Sequence, residues 1–221
     1  MGKKIEKNEE YFNVIDTELK AYLLGYFLAD GCVTNPTKGK KCISMCLQEQ
    51  DKYILEWFLS EIAPTCKISK YTKPSTGKTQ YSFKFTAPIM AKNLEEIYGI
   101  KSRKTEDVEF KFPFEKMDSK YYHHFIRGYF DGDGFISERV VNNTQNWVPQ
   151  FGFVSTSLNF ILQLKEIIPE FSVPRLCTNK GKNMEYYQLI YSCKEGVIPV
   201  IKKWLYNNSK YYLKRKFNKF I

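Results

Sequence analysis

Residues Leu23–Gly31 read Leu-Leu-Gly-Tyr-Phe-Leu-Ala-Asp-Gly, and residues Ile126–Gly134 read Ile-Arg-Gly-Tyr-Phe-Asp-Gly-Asp-Gly. Five of the nine positions are identical, and the second copy follows the first by 103 residues, from Asp30 to Asp133. In each copy an apolar, helix-compatible run ends in Asp and then Gly. Gly suits a left-handed helix C-cap, whereas a carboxylate is unfavourable beside the partial negative charge of a helix C-terminus. Two matched endings indicate that the acid is needed there, with a metal ion to offset its cost.

Small residues recur on one face of each predicted motif helix. Gly25 and Ala29 are four residues apart, as are Gly128 and Gly132, and this spacing places residues on the same helix face. Small residues let two helix backbones approach closely. If these faces pack together, the two terminal carboxylates emerge side by side and repel each other unless a proton or cation intervenes. A divalent cation such as Mg²⁺ accepts oxygen-only ligation and can activate water for phosphodiester cleavage. The alternative is that the small residues only pack and the aspartates only cap turns.

The duplication extends beyond the two motifs, because each half reads as helix, two strands, helix, two strands, helix. The first half is predicted to contain a helix from Asp16 or Thr17 to Asp30, strands Cys32–Thr34 and Cys42–Leu47, a helix capped by Asp51, a hairpin of Lys67–Thr72 and Gln80–Thr86, and a helix Ala87–Tyr98. The second half is predicted to contain a helix capped by Asp118, strands Phe135–Val141 and Trp147–Ser155, a helix capped by Ser157, a hairpin of Arg175–Asn179 and Tyr186–Ser192, and a helix Gly196–Tyr206. This organisation predicts an N-terminal half at 1–106 with a short N-terminal extension, a linker at 107–117 and a C-terminal half at 118–221.

Charge and cysteine usage narrow the class of protein. The chain has 34 Lys plus Arg against 24 Asp plus Glu, a net charge of +10, which suits a polyanion such as nucleic acid, although charge alone does not decide it. Six cysteines without a Cys-x-x-Cys pair, and only two histidines, argue against a structural zinc site. The N-terminus lacks the apolar core of a signal peptide, and the apolar run at 19–29 is too short to span a bilayer. We expect an intracellular, soluble protein without a membrane partner, in the cytoplasm or in an organelle (mitochondrion or chloroplast).

Both motifs resemble the LAGLIDADG signature of homing endonucleases, and two motifs in one chain resemble the single-chain, pseudo-symmetric members, over about residues 16–221. The resemblance implies an α+β fold of tandem pseudo-symmetric αββαββα repeats, with two saddle-shaped antiparallel sheets and a central two-helix interface. The eighth motif residue in that family is the metal-binding catalytic acid, which corresponds to Asp30 and Asp133. The same correspondence adds Ala29 and Gly132 to the metal site. Asp131 has no acidic counterpart in the first motif and is expected to lie off the metal axis.

The resemblance also implies secondary active-site residues. A basic residue near the end of each half assists the scissile phosphate through water in the family, and the matching positions here are Lys104 and Lys216; solvated surface lysines are the alternative. A water-ordering polar residue precedes the second helix of each half. Gln48 matches it in the first half, whereas the second half departs from the pattern and offers Ser155 and Thr156.

The strands alternate polar, basic and aromatic residues, which places the two kinds of side chain on opposite sheet faces. Arg and Lys can pair with guanine, and Gln and Asn with adenine, while further lysines neutralise phosphates. An ordinary solvated sheet face is the alternative. The predicted DNA-contacting residues of the first half are Lys41, Lys67, Ser69, Lys70, Tyr71, Lys73, Gln80, Ser82 and Lys84. Those of the second half are Ser137, Arg139, Gln150, Arg175, Thr178, Lys180, Lys182 and Gln188.

The resemblance therefore implies a site-specific double-strand DNA endonuclease, encoded by an intron as part of a mobile element. It implies a monomer that uses Mg²⁺ on a long, imperfectly palindromic target, with Mn²⁺ able to substitute and Ca²⁺ binding without efficient cleavage. The alternative is a nuclease-inactive DNA or RNA binder of the same fold, either an intron maturase or a transcription regulator. A structural protein without a nucleic-acid role is hard to reconcile with the +10 charge and the paired acids.

Overall fold

The computed structural model describes residues 5–35, 39–72, 74–140, 147–181, 184–192 and 197–220. The chain divides into two compact units. Unit 1 comprises Met1–Ile15 and Asp30–Lys104, and unit 2 comprises Asp16–Ala29 and Thr105–Ile221. The helix of the first motif therefore packs within unit 2, although unit 1 segments flank it in the sequence.

The described residues form seven α-helices and eight strands, so the predicted α+β class is confirmed. The order of elements predicted for each half is also confirmed. The first repeat contains α1 (Glu18–Asp30), β1 (Gly31–Thr34), β2 (Cys42–Gln48), α2 (Lys52–Ile62), β3 (Ser69–Thr72), β4 (Thr79–Thr86) and α3 (Pro88–Tyr98). The second repeat contains α4 (Tyr122–Asp133), β5 (Phe135–Val140), β6 (Trp147–Ser155), α5 (Leu158–Ile167), β7 (Arg175–Lys180), β8 (Glu185–Ser192) and α6 (Val197–Tyr206), followed by the short helix α7 (Lys214–Phe217).

The two sheets have the same topology. Their strand orders are β1-β2-β4-β3 and β5-β6-β8-β7, and every pairing is antiparallel. In unit 1, the buried side chains of Ile43, Met45, Phe83 and Phe85 share one sheet face, and Phe83 stacks on Phe58 of α2 with ring centroids 5.0 Å apart. One face of the sheet therefore packs in the core, and the opposite face is available to polar side chains.

The helix caps follow sequence chemistry, with one difference. Ser157 caps α5 as predicted, because its Oγ accepts a hydrogen bond from the Phe160 amide at 3.3 Å. Asp118 accepts from the Lys120 amide at 3.0 Å and caps a short 3₁₀ turn ahead of α4. Asp51 lies at the start of α2 but makes no side-chain cap bond; it is buried and accepts from Gln48 instead.

Helices α1 and α4 touch through their backbones at two glycines. A Cβ atom added to Gly25 lies 2.0 Å from the carbonyl oxygen of Phe125, and one added to Gly128 lies 2.0 Å from that of Tyr22. Real Cβ atoms essentially never approach so closely, so both positions require glycine. The contact is reciprocal between the two motifs, and it confirms the predicted close packing of the motif helices.

Helix α1 is enclosed on all sides. Nine consecutive residues, Ala21–Ala29, are buried, as expected of a helix that is apolar around its whole circumference. Among the helices of the described chain, none is both long and apolar enough to cross a membrane.

Candidate active site

Asp133 is the last residue of α4, and its side chain is exposed. At the end of the helix, the Gly134 amide donates a hydrogen bond to the Phe130 carbonyl at 2.8 Å. Tyr129 lies near this acid and forms a hydrogen bond with Ser155. Burial, and to a smaller extent the Asp133 charge, raises the pKa of Tyr129 well above its usual value, and the hydrogen bond with Ser155 opposes this shift. The helix end thus presents one exposed carboxylate next to buried polar groups.

Asp30 occupies the equivalent position at the end of α1, where it is also exposed. Gly31 starts β1 and pairs with Met45 of β2, which brings Asp30 next to Cys46. Partial burial, and then the Asp30 carboxylate, raise the pKa of the Cys46 thiol. Cys46 does not stand out in the sequence, because only the pairing of β1 with β2 brings it beside Asp30.

Asp131, the unmatched acid of the second motif, is buried in unit 2. Its Oδ2 accepts hydrogen bonds from the Tyr22 hydroxyl at 2.9 Å and the Leu213 amide at 2.7 Å, and its Oδ1 accepts from the Tyr206 hydroxyl at 2.8 Å. Burial raises the pKa of Asp131 to about 6, although these hydrogen bonds oppose the shift. Asp131 therefore ties α1 and the C-terminal segment to α4.

A second buried group, Arg127, anchors the same C-terminal segment. Its guanidinium donates to Glu18 at 2.9 Å, to the Tyr211 carbonyl at 2.9 Å and to Nδ1 of His124 at 2.9 Å. Glu18 in turn accepts from the Lys210 amide at 2.9 Å. Burial and then the Arg127 charge lower the pKa of His124 to about 3, which leaves its ring neutral and able to accept. Neither Arg127 nor Glu18 stood out in the sequence, because most of their partners are more than 70 residues away.

Of the two lysines predicted to assist catalysis, Lys216 is only 5% exposed. Its Nζ donates to the carbonyl oxygens of Phe130 at 2.6 Å, Gly132 at 3.0 Å and Gly134. Lys104 is half-buried, in a 3₁₀ turn at the end of unit 1. The two lysines thus have different surroundings, although the resemblance implies the same role for both.

The predicted water-ordering residues are engaged within their own units. Gln48 is exposed at the end of β2, and its Nε2 donates to Oδ2 of Asp51 at 2.7 Å. Ser155 accepts from the Ser157 amide at 3.1 Å, and Thr156 is half-buried. Ser155 is linked to the surroundings of Asp133 through its hydrogen bond with Tyr129, which makes it the better placed of the two second-half candidates.

The predicted metal ligands are all oxygen donors: the carboxylates of Asp30 and Asp133 and the backbone carbonyls of Ala29 and Gly132. Among the residues that the structure describes, no group of three or more His, Cys, Asp or Glu side chains could hold a metal ion. A site of this kind offers few protein ligands and leaves the remaining positions to water and phosphate. That donor set fits Mg²⁺, which keeps several waters and is held by one or two carboxylates together with substrate phosphates.

The open face of the unit 1 sheet carries most of the polar residues predicted there. Ser69 pairs with Ser82 and Tyr71 with Gln80, and Lys84, two residues after Ser82, is on the same face and exposed. Side chains alternate along a strand, so Lys70, opposite Tyr81, lies on the other face, which departs from the predicted surface. Its Nζ is 5.9 Å from the centre of the Tyr81 ring.

Two further first-half predictions lie outside this face, and a third cannot be assigned to either face. Lys67 precedes β3 and is exposed. Lys41 precedes β2, and its ammonium forms an ion pair with Glu95 of α3 at 2.8 Å. Lys73 lies outside the described residues. The polar face of this sheet therefore consists mainly of side chains from β2, β3 and β4.

The unit 2 sheet divides its predicted residues between two faces. Ser137, Gln150, Arg175 and Gln188 share the open face, but Gln150 is only 7% exposed. Thr178 and Lys180 lie on the opposite face, with Tyr187 and Leu189, because the strand alternation places them there. The Arg139 side chain and Lys182 fall outside what the structure describes. This open face also carries the buried Gly152 and Ile190, so it is less polar than predicted.

Comparison with known proteins supports the fold. Residues 120–197 match the sequence profile of the LAGLIDADG-like domain, and a search of curated proteins found no match. The chain resembles the LAGLIDADG homing endonuclease I-GzeII in complex with its DNA target, at 12% identity and a TM-score of 0.57, over 90% of this chain and 87% of the other. I-SmaMI bound to cleaved DNA matches at 9% identity and a TM-score of 0.54, over 94% and 87% of the two chains. I-WcaI bound to its DNA recognition sequence matches at 11% identity and a TM-score of 0.52, over 96% and 91%.

Because these identities are low, the structural matches show the fold alone. The profile match covers the second motif with its acid and glycines, together with the strands that follow it. Residues 120–197 are similar to the LAGLIDADG-like domain, and the chain has the fold of the LAGLIDADG homing endonucleases.

Proposed function

We propose that this chain is a site-specific, divalent-metal-dependent endonuclease that cuts both strands of DNA. The observation that carries the proposal is the exposed carboxylate at the end of each motif helix, Asp30 and Asp133, each followed by glycine. A helix C-terminus disfavours a carboxylate, and both side chains are exposed. Such an acid is explained by a role toward a cation.

In this proposal, Asp30 and Asp133 each contribute metal-binding carboxylate oxygens for the cleavage of one strand. When bound, Mg²⁺ supplies a water of lowered pKa and stabilises negative charge on the phosphate. Other residues of the chain hold the helices that end in these acids. Gly25 and Gly128 allow α1 and α4 to pack closely. Asp131 and Arg127 hold the C-terminal segment against α4. Because one chain carries both motifs, we propose that it acts as a monomer. From the resemblance to homing endonucleases we also propose that it is encoded by an intron as part of a mobile element.

DNA contact is proposed for the open faces of the two sheets. In unit 1, Gln80 and Lys84 offer an amide and an ammonium on one exposed surface, suited to base edges and phosphates. In unit 2, Ser137 and Arg175 are the exposed candidates. The unlike residues of the two halves support a long target that is imperfectly palindromic.

The test is a selection from a library of randomised duplex DNA. Molecules bound in Ca²⁺ are recovered, transferred to Mg²⁺ and sequenced at their new ends. We expect wild type to yield double-strand ends at one preferred sequence. Asp30→Asn or Asp133→Asn is expected to abolish double-strand cleavage, with a loss of at least about 10²-fold, while the dissociation constant in Ca²⁺ changes little.

A matched control is Glu138→Gln, which also neutralises an exposed acid of the second half and should cut normally. Undiminished cleavage by the Asp30→Asn, Asp133→Asn double mutant would refute the assignment of the acids. Sequence-specific binding by wild type without cleavage in Mg²⁺ or Mn²⁺ would instead support the nuclease-inactive binder.

A further inference from the structure

Lys216 brings a cation to the end of α4, where the sequence pattern had pointed to a metal ion alone. The last carbonyl groups of an α-helix have no partner within the helix and carry partial negative charge. The Lys216 ammonium donates to the carbonyl oxygens of Phe130, Gly132 and Gly134. An ammonium has three N–H donors, which matches the number of these carbonyls.

The segment that carries Lys216 is fixed on both sides. Before it, the Leu213 amide donates to the buried Asp131 carboxylate at 2.7 Å. After it, the Lys202 ammonium donates to the Phe220 carbonyl at 2.9 Å. The ammonium of Lys216 also lies 5.3 Å from the centre of the Phe130 ring, within the range of a cation–π contact. The lysine is therefore held in place by the fold.

We propose that Lys216 is a positioning residue, a built-in cation that holds the backbone on either side of Asp133 before any divalent ion or DNA binds. The importance of Asp133 itself rests on the proposed nuclease function, whereas the positioning role rests on the contacts of Lys216. The family resemblance implies instead a lysine that assists the scissile phosphate through water. To do so, Lys216 would have to break one of its bonds to a buried carbonyl.

The same contacts bear on the ligands available to a metal ion. The Gly132 carbonyl already accepts from an ammonium, and a divalent ion on the same oxygen would lie against that positive charge. Asp133 is exposed and its side chain is a carboxylate, the type of oxygen ligand that Mg²⁺ prefers. In the second motif the carboxylate, rather than the Gly132 carbonyl, is therefore the ligand that the chain offers most readily.

The test compares Lys216→Met with Lys219→Met in the full chain, without metal and without DNA. Met keeps an unbranched side chain but removes the ammonium, which takes one hydrogen-bond donor away from each of the three carbonyls. Lys219 lies on the same segment and is exposed, so its substitution removes the same charge without removing a cap. We expect Lys216→Met to lower Tm by on the order of 5–10 °C and Lys219→Met by about 1 °C or less. Amide hydrogen exchange in residues 128–136 should accelerate by about tenfold or more in Lys216→Met only.

Lys216→Arg separates charge from packing, since it keeps a cation with several donors. We expect it to recover part of the Tm and of the exchange protection, and if Lys216→Met fails to fold, a folded Lys216→Arg still supports the proposal. Equal damage from Met and Arg, or a Lys216→Met protein with unchanged Tm and exchange, would overturn it. These readouts need no cleavage, so a wild type that cuts no DNA would refute the nuclease proposal and leave the result on Lys216 intact.

Discussion

At the scale of single residues, two glycines set the distance between the motif helices. The space for a Cβ atom at Gly25 is taken by the Phe125 carbonyl oxygen, and that at Gly128 by the Tyr22 carbonyl oxygen. Both obstacles are backbone atoms, which cannot move aside as the end of a side chain can. Even alanine would have to separate the helices, so these positions are constrained by shape and not by chemistry.

We therefore predict that Gly128→Ala destabilises the protein by about 3 kcal/mol, at the upper end of typical overpacking costs. For a chain of this size, that corresponds to a fall in Tm of roughly 6–12 °C. The control is Gly77→Ala, since nothing lies within 4 Å of the added Cβ there, and its positive φ of 64° costs only about 1 kcal/mol. Thermal unfolding of the two variants checks the order, and an equal effect of both would show that α1 and α4 are not in contact at Gly128.

The residues that carry a repeated pattern could be read from the sequence, whereas those defined by distant partners could not. Asp30, Asp133 and the glycines recur at equivalent positions of the two motifs, and the spacing of the small residues alone predicted the close packing of the two helices. The surroundings of Lys216 and Asp131 depend on contacts across more than 80 residues. No local pattern distinguishes a lysine that caps a helix from one that faces water or phosphate.

At the scale of secondary-structure elements, a shift of one residue decides which face of a sheet a side chain joins. In β3, Tyr71 is opposite Gln80, and the neighbouring Lys70 is opposite Tyr81. Lys84 in β4 shares the open face, while Phe83 and Phe85 beside it are buried. The sequence predicted a polar and basic sheet surface, but the strand pairing was needed to show which of the lysines lie on that surface.

This pairing gives a matched test of DNA contact. We predict that Lys84→Met weakens DNA binding and lowers the slope of log K against log salt concentration by about one unit, because one phosphate contact is lost. Lys70→Met removes the same charge from the other face and should leave the slope nearly unchanged. Fluorescence anisotropy between 50 and 200 mM salt measures both, and equal slopes for the two variants would place DNA elsewhere than on the open face.

The positions of most elements were predictable because their end signals are local. Ser157 and Gly99 mark a helix start and a helix end through a side-chain cap and a left-handed C-cap with φ of 69°. Asp51 shows the limit of such signals, since its carboxylate accepts from Gln48 rather than capping α2. The order of strands in each sheet depends on long-range pairing, and the local pattern indicated only the hairpins.

At the scale of the whole molecule, unit 2 is built from two separate stretches of chain, Asp16–Ala29 and Thr105–Ile221. Residues 105–221 alone would lack α1, which buries nine consecutive residues and provides the Tyr22 hydroxyl to Asp131. The unit therefore cannot be completed from the C-terminal part of the sequence.

We predict that a fragment of residues 105–221 lacks cooperative thermal unfolding and binds a hydrophobic dye, because the surface that α1 covers is exposed. Co-expression with residues 14–34 should restore a cooperative transition. The same segment with Gly25→Leu serves as the control and should not restore it, since it cannot approach the Phe125 backbone. A fragment that unfolds cooperatively on its own would contradict the prediction.

The reciprocal glycine contact also sets an order of events during synthesis. Gly25 leaves the ribosome 103 residues before Gly128, which at about 5–20 residues per second is a delay of roughly 5–20 s. Throughout that time α1, which buries nine consecutive residues in the folded protein, lacks the helix that packs against Gly25. Codon usage that slows translation between the two motifs would lengthen this exposure, so the yield of soluble protein should depend on translation speed and on chaperones that shield α1 until α4 emerges.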